Sequence, residues 1–177
     1  MTVSSVKLTD RLLRKLAGEA RRAGVKGMSE VLAAEAVARR WLLALGLPCW
    51  RTAQPPDAVN RYGIVFHSGR RALAVPTGTG GCSFDRMASA RCDYLLLVRL
   101  REGRHGTVEG YFMLHDLRKP GDLLWEPDLD ALEPRPMEGF PELAVKPSGF
   151  RRSYLVGTMR LLMRGELPVP PPIAPES

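Results

Sequence analysis

Carboxylates near the middle of the chain are the first residues that could do chemistry, because clustered acids can hold a divalent cation that activates water. The candidates are Glu35, Asp57 and Asp85. No lysine lies between Lys26 and Lys119, so an arginine would have to supply any nearby cation. Arginine stays protonated, so it can stabilise charge but cannot take a proton from water. The sequence therefore predicts no catalytic residues, and the three acids remain fallback candidates.

A glycine-rich segment, residues 76–83, is the second feature that could bind a ligand. Backbone N–H groups in such a turn after a strand can contact an anion. The segment lacks the Gly-Lys-Ser/Thr of a Walker A motif, and Ser83 occupies the last position of a G-x-G-x-x-G pattern. A connector is the simpler interpretation. The alternative is a phosphate-contacting loop formed by Gly78, Gly80 and Gly81.

Histidines and cysteines show no metal-site spacing. His67, His105 and His115 form neither H-x-H nor H-x-x-x-H, and the three cysteines form no C-x-x-C pair. We expect no metal and no cofactor. The few cysteines indicate a reducing compartment, and no segment resembles a signal peptide or a membrane span. The sequence thus predicts a cytoplasmic protein without membrane contact.

Basic residues give the clearest indication of a partner. Lysine and arginine total 26 against 19 acids, a net charge of +7 with a sequence pI near 9.8. This excess is typical of nucleic-acid binders, and arginine suits bidentate phosphate contact. A solvated basic surface is the alternative. The candidate nucleic-acid contacts are Arg11, Arg14, Lys15, Arg21, Arg22, Arg70, Arg71 and Arg86.

Hydrophobic periodicity predicts the elements that position these residues. Residues 9–23 have apolar side chains at helical spacing, with Thr9 as the N-cap. Ser29 is predicted to cap a second, largely apolar helix that ends near Leu45. A hairpin is predicted across Ser68-Gly69. The strand-like segments are 49–52, 62–67, 71–76, 93–100 and 108–114. They predict an α/β layer structure, with a central mixed sheet of four to five strands flanked by helices.

Short motifs on these elements follow a known pattern. Glu35 lies on the second helix, Tyr62–Val65 and Ala72–Thr77 form the hairpin, and Cys92–Val98 forms the later strand. In order and spacing they resemble the PD-(D/E)xK nuclease superfamily, in particular its small members related to homing endonucleases and Holliday-junction resolvases. The resemblance covers roughly residues 29–117. It implies a restriction-endonuclease-like fold.

The catalytic positions of that family are altered here. Gly63 stands where a metal-binding aspartate is expected, Ala74 where a glutamate or glutamine is expected, and Pro76 where a lysine is expected. These three residues cannot hold a cation or polarise a phosphate. Only Glu35 keeps the chemistry of its family position. The resemblance therefore implies a catalytically degenerate nuclease.

We accordingly expect a pseudoenzyme that binds nucleic acid, with DNA as the expected form, or a subunit of a larger nucleoprotein assembly. Two alternatives remain open. One is an active, Mg²⁺-dependent endonuclease with relocated carboxylates, because fold resemblance alone does not exclude activity. The other is a non-catalytic protein–protein adaptor. The separate basic and acidic regions and the proline-rich tail of the chain would suit such an adaptor.

The predicted domain organisation has three parts. They are a basic N-terminal helix at 1–27, a single nuclease-like α/β domain at 28–165, and a proline-rich tail at 166–177 that we expect to be disordered. The domain includes an acidic, proline-rich excursion at 120–147 and a C-terminal helix that ends at Gly165. We expect the apolar residues of the excursion to pack on the core. They are Leu123, Leu124, Trp125, Phe140 and Leu143.

Overall fold

The computed structural model describes residues 5–24, 27–51, 63–77, 92–117 and 132–144. Its strands are β1 (Val6–Lys7), β2 (Cys49–Arg51), β3 (Ile64–Phe66), β4 (Arg71–Thr77), β5 (Tyr94–Arg101) and β6 (His105–Met113). Its helices are α1 (Asp10–Ala23), α2 (Met28–Ala44), α3 (Leu114–Leu117) and α4 (Pro141–Ala144), with a 3₁₀ turn at Met137–Gly139.

The strands form one mixed sheet in the order β1-β6-β5-β4-β3-β2. Strands β4 and β5 are parallel, and every other neighbouring pair is antiparallel. The α/β class and the mixed sheet are thus confirmed. The described sheet has six strands, however, where four to five were expected. The additional strand is Val6–Lys7, which pairs with Gly106 and His105 and is too short to show an alternating pattern.

The two long helices follow the sequence prediction closely. The Thr9 hydroxyl caps α1 by accepting a hydrogen bond from the Leu12 N–H at 3.3 Å, and Gly24 ends it in the left-handed conformation. Helix α2 begins two residues earlier than predicted, at Met28. Its N-cap is Gly27, and the Ser29 side chain donates to Glu30 and does not cap the helix. The prediction of a Ser29 cap is therefore wrong.

Helix α2 fills the space between the sheet and α1. Every residue from Leu32 to Ala38 is buried, so the helix contacts neighbours on more than one side. Its contact with the sheet depends on Gly106, where an added Cβ would lie 2.9 Å from both methyl groups of Val37. The absence of a side chain on β6 at this point lets α2 approach the strand closely.

The N-terminal segment belongs to the same core as the rest of the described chain. Leu8 and Leu16 are buried in the cluster that also contains the α2 residues and one face of the sheet. An exposed ion pair between Asp10 and Arg104, at 3.2 Å, also links α1 to the turn before β6. The described part of residues 1–27 therefore shares its core with α2 and the sheet.

The acidic excursion returns to the sheet where it is described, at 132–144. Arg135 forms a two-bond backbone bridge with Tyr111, and Phe140 is buried against the Tyr111 and Tyr94 rings at centroid distances of 5.0 and 4.9 Å. Leu143 packs against the same core. The predicted packing of Phe140 and Leu143 is confirmed. Leu123, Leu124, Trp125, the predicted C-terminal helix and the proline-rich tail lie outside the described residues.

Candidate nucleic-acid interface

Glu35 lies at the junction of several elements, on the buried face of α2. The residue is 3% exposed. One carboxylate oxygen lies 3.2 Å from Nε of Arg51 on β2 and 3.5 Å from Nε of Arg39, one helical turn further along α2. The other oxygen accepts a hydrogen bond from the Gly63 N–H at 3.3 Å. Arg51 also contacts Glu19 of α1 at 2.7 Å, so this charge network joins both long helices to the edge of the sheet.

The electrostatics of Glu35 follow from this setting. Burial raises the pKa of its carboxyl group, while Arg39, Arg51 and the Gly63 N–H favour the charged form and oppose that shift. Both carboxylate oxygens already have partners from the protein. In this arrangement Glu35 orients Gly63 and balances the two guanidinium groups, which makes it a structural anchor.

The other positions of the family pattern bring no metal ligand to this place. The side chain of Ala74 belongs to the buried core that β4 shares with α2, and Pro76 is buried further along the same strand. Among the described residues, no three His, Cys, Asp or Glu side chains gather as a metal site would require. The fallback acids Asp57 and Asp85 lie outside the described residues.

Five cations of α1 are exposed on one side of the helix. We call Arg11, Arg14, Lys15, Arg21 and Arg22 the α1 stripe. With 3.6 residues per turn, these positions fall on the side opposite Leu16 and Ala20, which face the core. The two acids of the helix are engaged elsewhere, Asp10 by Arg104 and Glu19 by Arg51. Within the part of the chain that the structure describes, no acid pairs with these five cations, so the stripe presents positive charge along the helix.

The two hairpin arginines have different surroundings. The Arg70 guanidinium donates to the Tyr94 hydroxyl at 2.7 Å and lies 3.9 Å from Glu142. Arg71 alternates with the buried Ala72, so its side chain lies on the sheet face opposite α2. Arg86, Gly78, Gly80 and Gly81 lie outside the described residues.

A buried acid that sequence reasoning missed accounts for the position of Arg70. Glu142 is 2% exposed, and it accepts hydrogen bonds from the Tyr94 hydroxyl at 2.8 Å and from the Ser68 hydroxyl at 2.7 Å. Burial raises the pKa of the Tyr94 hydroxyl; Arg70 opposes this shift and Glu142 adds to it. The available signal was Tyr94 itself, because a tyrosine in a buried apolar strand needs a partner for its hydroxyl.

Comparison of the chain with protein-family models, with curated proteins and with solved structures finds no match. No helix within the described ranges is both long and apolar enough to cross a membrane.

Proposed function

We propose that this chain is a nucleic-acid-binding protein, with DNA as its expected partner, and that its fold is a PD-(D/E)xK nuclease-like fold with degenerate catalytic positions. The α1 stripe is the observation that carries the binding proposal. Five exposed cations on a helix fixed to the core form a rigid, positively charged surface, and such surfaces attract the phosphate backbone. The acids of the same helix pair with other residues, Asp10 with Arg104 and Glu19 with Arg51, and not with the stripe.

The order of elements supports the fold proposal. In the family, a helix with a glutamate precedes a two-strand hairpin and a later strand, and here α2 precedes β3, β4 and β5 in that order. The Glu35 carboxylate accepts a hydrogen bond from Gly63, the residue at the position of the family's aspartate. Strand β5 lies beside β4, so the three motif segments are neighbours in the sheet.

The degenerate site is supported by the contacts of Glu35. A catalytic metal site needs several oxygen ligands around one cation. Here the carboxylate is occupied by Arg39, Arg51 and Gly63, and the buried Ala74 side chain offers no ligand. These contacts favour a binding protein over a metal-dependent nuclease.

A gel-shift experiment on single-stranded, duplex and branched DNA tests this function, together with a cleavage assay in Mg²⁺ and Mn²⁺. We expect shifted complexes at low salt and intact DNA with either metal. Metal-dependent cleavage that Asp57→Ala or Asp85→Ala abolishes would instead establish an active nuclease. Absence of any shifted complex at low salt would reject nucleic-acid binding and leave the adaptor function.

A further inference from the structure

Gly18 is the residue of α1 that the fold itself does not explain. It lies in the interior of the helix, where glycine is less stable than alanine. A Cβ at this position would meet nothing within 4 Å, and the backbone of Gly18 does not adopt a positive φ. Neither packing against the described residues nor backbone conformation therefore requires glycine at position 18.

The position of Gly18 relates it to the α1 stripe. At 3.6 residues per turn it lies in the middle of the stripe, with Arg14 and Lys15 one turn before it and Arg21 and Arg22 one turn after it. One helical turn is about 5.4 Å, so a group placed over Gly18 has a pair of cations within reach on each side. An anion that approaches the helix closely would fit this arrangement.

We propose that the phosphate backbone of a duplex nucleic acid docks along the α1 stripe, with its closest approach at Gly18, and that it does so independently of base sequence. This proposal rests on the proposed function and specifies its contact surface. The absence of a side chain at Gly18 lets a phosphate approach the helix, where the flanking guanidinium and ammonium groups donate charge-assisted hydrogen bonds to its oxygens.

One property of α1 favours a duplex over a single strand. Single-strand binders stack bases on aromatic side chains, and α1 contains no aromatic residue. Contacts to phosphate alone position a protein on a duplex without specifying its sequence.

Substitutions at Gly18 test this surface, with fluorescence anisotropy on a labelled duplex as the measurement. Gly18→Leu should weaken duplex binding at least tenfold, because its side chain separates the phosphate from the helix. Gly18→Ala should weaken binding less, and should raise the thermal midpoint by roughly 2–4 °C because alanine favours the helix. The matched control is Ala17→Leu, which places the same leucine side chain at an exposed position beside the stripe and should leave affinity unchanged.

The possible results separate this inference from the proposed function. Wild-type affinity for Gly18→Leu, with weakened binding for the Arg14→Ala, Lys15→Ala double variant, would overturn the close approach but keep nucleic-acid binding. Tighter binding to a single strand of equal length, or to anionic lipid vesicles, would overturn the duplex assignment. Failure of the wild-type protein to bind any nucleic acid would reject the proposed function itself. Circular dichroism of each variant confirms that it is folded.

Discussion

At the scale of single residues, Glu35 and Glu142 show how the protein keeps acids in its interior. The Glu35 carboxylate accepts a hydrogen bond from Gly63 and contacts two arginines. The Glu142 carboxylate accepts hydrogen bonds from the hydroxyl groups of Tyr94 and Ser68. Buried charges require such partners, since an isolated one is costly. Both acids therefore fix the relative positions of elements.

Removal of the Glu35 carboxylate should destabilise the fold, because Arg39 and Arg51 would lose their shared counter-charge. We expect Glu35→Ala to lower the free energy of unfolding by about 3 kcal/mol, measured by urea denaturation. Glu30→Ala on the same helix is the control, because Glu30 contacts only the Ser29 hydroxyl among the described contacts. It should change stability by no more than about 0.5 kcal/mol. Equal small effects of both substitutions would show that Glu35 is not an anchor.

Cys49 should be chemically inert in the folded protein. Burial raises the pKa of its thiol to about 12. At pH 8 only about one thiol in ten thousand would then be ionised, against about a quarter of the thiols of an unfolded chain. Iodoacetamide at pH 8 should therefore label Cys49 only when urea unfolds the protein, as mass spectrometry of the labelled peptides would show. Rapid labelling of Cys49 with native circular dichroism would mean that the thiol is accessible.

At the scale of elements, the close packing of α2 on β6 depends on Gly106. The methyl groups of Val37 and the carbonyl oxygen of Arg99, at 3.2 Å, occupy the space that a Cβ would need. Helix and strand therefore have little room to adjust, because folded interiors are densely packed.

Gly106→Ala should lower the free energy of unfolding by about 1–3 kcal/mol through overpacking. The same substitution in a Val37→Ala background should cost less, because the two methyl groups that it meets are gone. A double-mutant cycle by chemical denaturation measures this coupling, which we expect to exceed about 0.5 kcal/mol. Additive effects of the two substitutions would mean that the contact does not limit the approach of α2.

The predictability of these elements from sequence depended on the strength of each local pattern. Helix α1 combines a Thr9 cap with an amphipathic repeat, and the hairpin has a Ser68-Gly69 turn, so both were predicted. Strand β1 has two residues and no periodicity, so only its pairing with β6 reveals it. The start of α2 was misplaced because Gly27 and Ser29 are both acceptable caps, and the choice depends on backbone conformation.

At the scale of the whole molecule, contacts between distant parts of the chain set the surroundings of the hairpin arginines. Strand β4 is buried on both faces, so its residues do not alternate between apolar and polar. The sequence therefore could not show whether Arg71 lies on the face of the sheet that the helices cover. The partner of Arg70 is Glu142, which is 72 positions further along the chain and approaches only through the fold. Local sequence therefore predicted the α1 stripe but could not predict the partners of Arg70 or the sheet face on which Arg71 lies.

The salt dependence of duplex binding tests the central claim most directly. If each of the five stripe cations neutralises one phosphate, log K should fall with log salt at a slope of about −4.5, and Arg14→Ala with Lys15→Ala should flatten the slope by about 1.8. Anisotropy titrations between about 50 and 200 mM salt measure both values. A wild-type slope near zero, or a slope unchanged in the double variant, would contradict phosphate binding by α1.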